Sequence, residues 1–498
     1  MNSSNPSNAY RLTKSKIMAG LQCHKKLWFD INNPIKKDLH VFHIGNRFGE
    51  LARQHYGNGL DLSDTREVDN ALKMTHDAIS DLQAPTIYEA AFLHDETLVR
   101  LDVLRRMGSE WEVIEIKSST SLREEHISDA ALQAYIAASS GLKINKVTIS
   151  HINKEFLYKG DGQYSDLFME IDVSERVSAF LPRASFLISQ LKPISDSDAD
   201  CPKISVGVHC KTPHKCQYIE RCSEGSGSNR VLPLDASLDL IGSSSRDSSS
   251  SGYERLGDNL EHSLDSPGED IVHAVHGTEV RWVSPDIKDR LDQLGWPRFF
   301  MDFETVQQGV PILRGTRPYD AIPFQWSVHQ WCSKEQNIRL SDALGYLNFY
   351  SAEMDTEFMV TLLNALGENG PVFVHNASFE KRILRETAKR IGDPSITANV
   401  EGVIERIVDT LAIARKNFYS PEMMGSYSLK SIVKSIPTTV DYSEEDGLSD
   451  GEEAQLAWHI CTNRTVDVSR KAELEERLKK YCAKDTLAIY DFISYLSK

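Results

Sequence analysis

A low-complexity segment in the middle of the chain divides the sequence into two parts. From Ser223 to Pro285 the sequence is rich in Ser, Gly and Asp and includes the run IGSSSRDSSSSG. This composition offers too little apolar surface to build a core. We therefore predict a flexible linker over residues 223–285, between an N-terminal domain at 1–222 and a C-terminal domain at 286–498, a division that suits a chain of 498 residues.

Composition and charge narrow the class of protein. The chain is 40% hydrophobic and 26% charged, as is typical of globular proteins. Its first residues, MNSSNPSNAYRLTKSK, are polar, so we expect no signal peptide, and no apolar run approaches the roughly 20 residues that span a bilayer. These features predict a cytoplasmic protein without a membrane partner. The net charge of −16 argues against a strongly basic coat protein for nucleic acid but allows a local basic groove.

The stretch FFMDFET places two carboxylates in an apolar run that is typical of a buried strand. Residues two apart in a strand point to the same face, so Asp302 and Glu304 are expected to lie side by side. Buried like charges are costly unless a cation lies between them. The simplest candidate is a divalent metal ion.

The rest of the C-terminal half alternates strand and helix patterns. AIPFQWSVHQW and PVFVHN are typical of strands, DTEFMVTLLNALGENG of a helix that ends at Gly367, and SFEKRILRETAKRI of a helix with Ser378 as its N-cap. The chain ends in a long helical pattern in which Tyr481 and Asp485 are four residues apart and share a face. This alternation predicts an α/β domain.

These elements carry a set of acidic residues that fits a metal centre. Asp302 and Glu304 lie on a central strand, Glu380 at a helix start and Asp485 on the last helix. Converging carboxylates hold two metal ions about 4 Å apart in enzymes that attack phosphodiesters in line. Tyr481, one turn from Asp485, is then the candidate for orienting the attacking water.

Three motifs in this half resemble those of the DnaQ-like 3′–5′ exonucleases of the ribonuclease H fold. DFET is similar to the first motif of that family, HNASFE to the second and YCAKD to the third. The resemblance covers about residues 291–498 and implies Mg²⁺ or Mn²⁺ bound by Asp302, Glu304, Glu380 and Asp485, with Tyr481 as the catalytic tyrosine. The family usually has Asp where this chain has Glu380.

The N-terminal half contains a predicted β-hairpin that carries a second set of charged residues. In LVRLDVLRRMGSEWEVIEIKSST, Glu115 and Lys117 share one face of the second strand, and Asp102 meets them from the first. Two carboxylates and a lysine on one sheet face indicate a metal site with a cation beside it. The open alternative is an exposed hairpin with a salt bridge.

This hairpin resembles the RecB-like branch of the PD-(D/E)xK nucleases. The spacing Asp-x₁₂-Glu-x-Lys matches, with Asp102, Glu115 and Lys117 in the motif positions. The resemblance implies a further acidic ligand on an early helix, Glu50, and a glutamine near DNA on the following helix, Gln133. Glu89 is a weaker candidate.

Four cysteines flank this predicted nuclease core. Cys23 precedes it, and Cys210, Cys216 and Cys222 follow it, with Cys201 as a spare. In a cytoplasmic protein such clustering favours metal binding over disulfides. The arrangement is similar to that of iron–sulfur RecB-like nucleases, which implies a [4Fe–4S] cluster; a zinc site fits the same ligands.

The order of the two halves resembles a bacterial family of nucleases that joins a RecB-like domain with four cysteines to a DnaQ-like domain. The resemblance implies a metal-dependent nuclease that hydrolyses DNA at a RecB-like site and a 3′–5′ exonuclease site. An RNA-directed 3′–5′ exonuclease and a nucleic-acid-binding protein with one inactive site remain alternatives. The chain has no phosphate-binding loop of the Gly-x₄-Gly-Lys-[Ser/Thr] type, so any unwinding requires a helicase or other partner protein.

Overall fold

The chain forms two compact units. The computed structural model describes residues 10–35, 39–81, 84–196, 198–224, 281–349, 353–423, 425–442, 451–463 and 466–498, without the side chains of 39–46. Unit 1 comprises Met1–Ser228 and Gln308–Asp320, and unit 2 comprises Asn229–Gln307 and Ala321–Lys498. Most of the predicted linker at 223–285 lies outside the described residues.

One segment belongs to a different unit from the one that the sequence predicted. Gln308–Asp320 lies within the predicted C-terminal domain of 286–498, yet it groups with unit 1. Apolar and hydrogen-bonding contacts explain this placement: Val310 is buried in a small core with Phe156, and the hydroxyl of Tyr164 donates to the carbonyl of Pro311 at 3.0 Å.

The described part of unit 1 is built on one mixed sheet. Its strands are β1 Leu12–Thr13, β2 Leu60–Asp61, β3 Thr86–His94, β4 Thr97–Met107, β5 Glu110–Lys117, β6 Ile144–Ile152 and β7 Phe168–Asp172. Strands β2 to β7 follow one another in order, and β1 pairs with the start of β4. The predicted hairpin is confirmed: β4 and β5 are antiparallel and turn at Gly108, whose φ of +68° suits glycine.

Helices surround this sheet. They are α1 Lys14–Gln22, α2 His24–Asn32, α3 Leu39–Tyr56, α4 Val68–Ser80, α5 Glu124–Ser139, α6 Ser174–Leu191 and α7 Ile219–Glu224. The main core joins apolar residues of β4 and β5, such as Leu101 and Val113, to Leu132 and Ile136 of α5 and Ile188 of α6. Helix α5 directly follows the hairpin and is therefore held against the face that carries Glu115.

Unit 2 contains a second mixed sheet with a central strand that carries FFMDFET. The described strands are β8 Trp282–Val283, β9 Arg298–Gln307, β10 Ala321–Trp331, β11 Leu344–Leu347, β12 Val372–Val374, β13 Ile407–Asp409 and β14 Phe418–Tyr419. The sheet order is β11-β10-β9-β12-β13, antiparallel on the β10 side of β9 and parallel on the β12 side. Strands β8 and β14 form a separate ribbon.

Helices cover both faces of the unit 2 sheet. They are α8 Ile287–Asp292, α9 Met354–Leu366, α10 Ala377–Ile391, α11 Pro394–Arg406, α12 Thr410–Asn417, α13 Leu429–Lys434, α14 Gly451–Thr462 and α15 Val468–Leu496. Phe300 packs on α15, whereas Met301 packs on α9. Both units are therefore α/β. None of the helices in the described ranges is both long and apolar enough to cross a membrane.

The predicted helix at HNASFE begins earlier than expected. Gly367 ends α9 as predicted, but α10 starts at Ala377 rather than after Ser378, and Asn376 precedes it in a left-handed conformation with φ of +78°. The carboxylate of Asp409 accepts hydrogen bonds from the backbone N–H groups of Asn376 and Ala377, at 3.3 and 3.2 Å. A cap from another strand thus replaces the local cap that the sequence suggested.

Candidate functional site

Three carboxylates from distant parts of the sequence converge in unit 2. Asp302 and Glu304 project from the central strand β9, and Asp485 reaches them from α15. One oxygen of each lies within 4.8 Å of the others, and among the described residues this is the one such group of three or more His, Cys, Asp or Glu side chains. Hard oxygen donors at this spacing are the ligands that Mg²⁺ and Mn²⁺ prefer.

The electrostatics of this group also fit a cation. Burial raises the pKa of Asp302 well above its ordinary value, and the neighbouring charges of Asp485 and Glu304 raise it further. Burial raises the pKa of Asp485 to about 6, against the hydrogen bond from Tyr442. The metal-free group therefore carries more negative charge than its surroundings stabilise, and a divalent cation would relieve this cost.

Two tyrosines and a lysine lie around Asp485. The hydroxyl of Tyr442 donates to Oδ1 of Asp485 at 2.6 Å. Burial and the charges of Asp485 and Glu304 raise the pKa of Tyr481, so its hydroxyl keeps its proton. The ammonium group of Lys430 lies over both rings, 5.4 Å from the centroid of Tyr442 and 5.3 Å from that of Tyr481.

Glu380 lies near this group but outside it. Its charge acts on Asp302, yet it does not join the three carboxylates within 4.8 Å. The residue is 5% exposed, and its Oε2 is buried without a hydrogen-bond partner in the described structure. Burial raises the pKa of Glu380 to about 8. A buried carboxyl with an unused oxygen is a group that a cation or a bound water would satisfy.

In unit 1 the hairpin brings Asp102, Glu115 and Lys117 together. The registers of the flanking pairs place Asp102 opposite Glu115, and Oδ2 of Asp102 accepts from the N–H of Ile116 at 2.8 Å. Nζ of Lys117 donates to Oε1 of Glu115 at 2.7 Å. Burial opposes ionisation of Glu115, but Lys117 and Lys14 outweigh it and hold the pKa of that carboxyl below its ordinary value. Burial, followed by the charge of Glu115, raises the pKa of Asp102 to about 7.

Helix α5 contributes Gln133 and Asp129 to the same cluster. Nε2 of Gln133 donates to Oε2 of Glu115 at 2.6 Å and to Oδ1 of Asp129 at 3.3 Å. Lys117 donates to the other oxygen of Asp129. Oε1 of Gln133 is buried and, as far as the structure describes the chain, accepts no hydrogen bond. A buried oxygen without a partner, on a side chain that contacts two carboxylates, is a group that a bound water or hydrated cation would satisfy.

The two remaining acidic candidates of unit 1 differ in position. Glu50 is exposed on α3 and lines a cleft with Arg53. The charges that shift the pKa of Asp102 are those of Glu115, Lys14, Glu89 and Lys117, and Glu50 is not one of them. Glu89 lies opposite Asp102 on β3, with a φ of +56° that non-glycine residues rarely adopt. Glu89, Asp102 and Glu115 thus form one row across three strands.

Four charged or hydroxyl side chains at these sites were absent from the sequence prediction: Lys14, Asp129, Lys430 and Tyr442. Asp129 precedes Gln133 by four residues on one helix, so its helical spacing was a usable signal. The other three reach their sites only through tertiary packing and belong to none of the quoted motifs.

The predicted cysteine ligands lie close to one another. Cys23 separates α1 from α2, Cys210 ends a short 3₁₀ turn, the N–H of Cys216 donates to the carbonyl of Cys210 at 2.7 Å, and Cys222 lies in α7. Burial raises the pKa of Cys216 and Cys222, and the charges of the other members of the set act on both. Cys201 contacts the carbonyl of Pro202 instead.

The chemistry and spacing of these cysteines fit a bound inorganic group. Lys26 and Lys25 lie near Cys216 and Cys222 and favour their thiolates. In a zinc site, bonds of about 2.3 Å hold neighbouring sulfurs under about 4 Å apart. No three of the four sulfurs come within 4.8 Å of one another in the described structure. A zinc ion and a [4Fe–4S] cluster each bind through four thiolates.

Comparison with known families yields one match. Residues 299–428 match a family model described as a domain of unknown function (DUF2779). The matched segment covers about a quarter of the chain and includes Asp302, Glu304 and Glu380, but not Tyr481 or Asp485. No curated protein matches the chain.

Proposed function

We propose that this protein is a metal-dependent nuclease that hydrolyses phosphodiester bonds of DNA at two sites. In this proposal, unit 2 is a DnaQ-like 3′–5′ exonuclease and unit 1 is a RecB-like nuclease. The observation that carries the proposal is the convergence of Asp302, Glu304 and Asp485 within 4.8 Å, with the Tyr481 hydroxyl interacting with Asp485. These residues are the ones that the first and third sequence motifs single out.

The sheet of unit 2 supports the fold assignment. Its central strand β9 has antiparallel neighbours on one side and parallel neighbours on the other, in the order β11-β10-β9-β12-β13. The first acidic motif lies on this central strand, where both Asp302 and Glu304 are within reach of Asp485. In unit 1, the antiparallel pair β4-β5 carries the Asp-x₁₂-Glu-x-Lys residues, as the RecB-like resemblance requires.

The residues of unit 2 divide into ligands and groups that orient water. Asp302, Glu304 and Asp485 would hold Mg²⁺ or Mn²⁺, which when bound polarises the phosphodiester and supplies an activated water. Tyr442 fixes the orientation of Asp485 through its hydrogen bond. Tyr481 remains protonated and donates a hydrogen bond, so it is suited to orient a water beside the phosphate rather than to accept its proton.

The residues of unit 1 have parallel roles. Asp102 and Glu115 would hold the cation, and Lys117 neutralises charge that develops on the phosphate. Gln133 holds Glu115 by its amide N–H, and its own oxygen is buried without a hydrogen-bond partner in the described structure. Asp129 anchors Lys117, which therefore stays protonated: burial favours the neutral amine, but Glu115 and Asp129 raise its pKa above the ordinary value.

We further propose that Cys23, Cys210, Cys216 and Cys222 hold a [4Fe–4S] cluster, with zinc as the alternative occupant. Cys23 lies near the start of unit 1 and the other three near its end. A bound cluster would therefore link the segment before strands β2 to β7 to the segment after them, and would contribute to folding in the way that structural metals do.

A second candidate function rests on Glu380. Its position outside the group of three carboxylates fits a unit 2 that binds nucleic acid without cleaving it. In that case unit 1 alone would be the nuclease. Cleavage of 3′ ends by a protein whose Glu115 is replaced with Gln would exclude this alternative.

The experiment that tests the proposed function is a substrate panel. Single- and double-stranded DNA and RNA of one sequence, labelled at either end, are incubated with the full chain and Mg²⁺, Mn²⁺ or EDTA. We expect metal-dependent shortening of DNA from its 3′ end. RNA shortened in preference to DNA would support the RNA-directed exonuclease, and no cleavage of any substrate would contradict the proposal. The matched control is Glu115→Gln with Asp302→Asn, which removes one ligand from each site.

A further inference from the structure

Lys14 lies at the edge of the unit 1 cluster although it is 101 residues away from Glu115 in sequence. Strand β1 pairs with the first residues of β4, so the start of the chain is held next to the strand that carries Asp102. Thr13 then caps α1, accepting from the N–H of Lys16 at 3.4 Å. The cap and the strand pairing fix the first residue of α1, which is Lys14.

Lys14 and Lys117 share one carboxylate oxygen. Nζ of Lys14 is 2.9 Å from Oε1 of Glu115, and Nζ of Lys117 is 2.7 Å from the same atom. The other oxygen of Glu115 accepts from Gln133 at 2.6 Å. Glu115 is 1% exposed, so water cannot replace these donors freely. Oε1 of the central carboxylate therefore already accepts from two ammonium groups, and a cation that binds this oxygen has to displace one of them.

The charges around Glu115 indicate which of the two lysines a metal ion would displace. Asp102, Glu115 and Asp129 face two ammonium groups, those of Lys14 and Lys117. Lys117 is held by Glu115 and Asp129 together, whereas Lys14 is 3.7 Å from Asp129 and has one close partner. Lys14 is therefore the more easily displaced of the two, and its departure leaves one more negative charge for a divalent cation.

A purely structural role is the alternative for Lys14. A lysine that only stabilises the fold contributes equally with and without metal, so its loss lowers stability by the same amount in both states. A lysine that competes with metal behaves differently: its loss destabilises the metal-free protein and strengthens metal binding. A purely structural role therefore predicts no change in metal affinity when Lys14 is replaced, whereas competition with the metal predicts an increase.

We propose that Lys14 is a positioning residue of the unit 1 site that occupies Oε1 of Glu115 in the metal-free protein and is displaced from it when a divalent cation binds. The proposal rests on the metal-dependent function proposed for unit 1. Lys14 then acts as a counter-ion that stabilises the row of carboxylates in the metal-free folded protein. Because the ion pair and the metal use the same oxygen, Lys14 lowers the affinity for the metal.

The test is a titration of the full chain with Mn²⁺. Binding is measured by calorimetry and by the electron paramagnetic resonance signal of free Mn²⁺. Asp302→Asn and Asp485→Asn are present throughout, so that binding at unit 2 is weakened. Lys14→Gln should bind Mn²⁺ about tenfold more tightly than this background, a change on the scale that outer-shell partners produce. Lys16→Gln, on the same helix, is the matched control and should bind as the background does.

Thermal unfolding gives a second measurement. In EDTA, Lys14→Gln should unfold at a lower temperature than the background protein. Mn²⁺ should raise the unfolding temperature of Lys14→Gln by more than it raises that of the background. If Lys14→Gln does not fold, Lys14→Arg decides: a guanidinium pairs with a carboxylate through two hydrogen bonds, so it should hold Glu115 more firmly and weaken Mn²⁺ binding.

The outcomes separate this inference from the proposed function. Suppose that Glu115→Gln abolishes Mn²⁺ binding but Lys14→Gln leaves it unchanged or weaker. This result would overturn the role of Lys14 and leave the proposal of a metal site intact. Unchanged binding in Lys14→Arg would overturn it in the same way. A background protein that binds no Mn²⁺ through Glu115 would contradict the function proposed for unit 1 and the inference with it.

Discussion

The hydroxyl of Tyr442 donates a hydrogen bond to Oδ1 of Asp485 over 2.6 Å. The two residues are 43 positions apart, and Tyr442 lies outside the helices and strands, so packing rather than sequence proximity brings them together. The bond fixes one carboxylate oxygen of the group formed with Asp302 and Glu304, and it opposes the rise in the pKa of Asp485 that burial causes.

Tyr442→Phe should weaken metal binding at unit 2. Without the hydroxyl, Asp485 loses its orienting donor and its carboxylate form is less stable. We expect the Mn²⁺ concentration for half-maximal 3′–5′ activity to rise by about 10-fold or more, as for other partners of metal ligands. Tyr490→Phe is the control, because Tyr490 packs on Phe300 and Trp331 of the same unit through its ring. Equal metal requirements in the two variants would contradict the role of Tyr442.

The metal-free protein should lose stability as the pH rises. Burial and neighbouring charges raise the folded-state pKa of Asp302, and the pKa of Asp485 rises to about 6. The folded state therefore holds protons that the unfolded state has released, so stability falls as the pH rises from about 4 through the folded-state pKa values. The unfolding temperature in EDTA, measured between about pH 5 and pH 8, should fall more for the wild type than for Asp302→Asn.

At about pH 8, Asp302→Asn should raise the metal-free unfolding temperature by on the order of 5 °C, because it removes one buried like charge. Mn²⁺ should raise the unfolding temperature of the wild type at this pH by more than that of the variant, which keeps only the unit 1 site. Parallel pH profiles for the two proteins would show that the three carboxylates do not repel one another as the structure indicates.

Glu380→Gln should separate catalysis from stability. The pKa of Glu380 is raised to about 8 by burial, so this carboxyl is largely protonated at neutral pH in the metal-free protein and glutamine should replace it at a cost under about 1 kcal/mol. Exonuclease activity should fall about 100-fold if Glu380 contributes to the metal site. The control is Glu386→Gln, an exposed position on the same helix. Full activity in Glu380→Gln would remove Glu380 from the site.

Cys216→Ser should remove the cluster that we propose for the four cysteines. We expect loss of iron and of brown colour, together with a loss of unit 1 stability on the order of several kcal/mol, as for other structural metals. Cys201→Ser is the matched control, since Cys201 contacts Pro202 instead of the cluster. A colourless wild-type protein that contains zinc would replace the iron–sulfur assignment with the zinc alternative.

The local elements could be predicted from the sequence because their patterns are strong. The hairpin of β4 and β5, the strand at FFMDFET and the terminal helix follow from alternation, a glycine turn and helical spacing. The cap of α10 could not be predicted, because its acceptor is Asp409 on another strand. The same holds for Gln308–Asp320, whose own sequence does not reveal that it packs with Phe156 and Tyr164.

The candidate sites show the same division between local and tertiary information. Glu115 and Lys117 are adjacent on one strand face, and Tyr481 and Asp485 are one helical turn apart, so local geometry places each pair. Lys14 and Tyr442 reach carboxylates 101 and 43 residues away, which only the assembled fold defines. For Glu50, only resemblance to a family suggested a ligand, and that role stays a prediction: its side chain is exposed and lines a cleft with Arg53.

The most direct test of the central claim compares Lys117→Ala with Asp302→Ala on DNA labelled at its 3′ or 5′ end in the presence of Mn²⁺. The two-site account predicts that Asp302→Ala loses 3′ shortening and keeps the remaining cleavage, whereas Lys117→Ala keeps 3′ shortening and loses the rest. Both single variants losing all cleavage while remaining folded, or neither losing any, would contradict two independent nuclease sites in this chain.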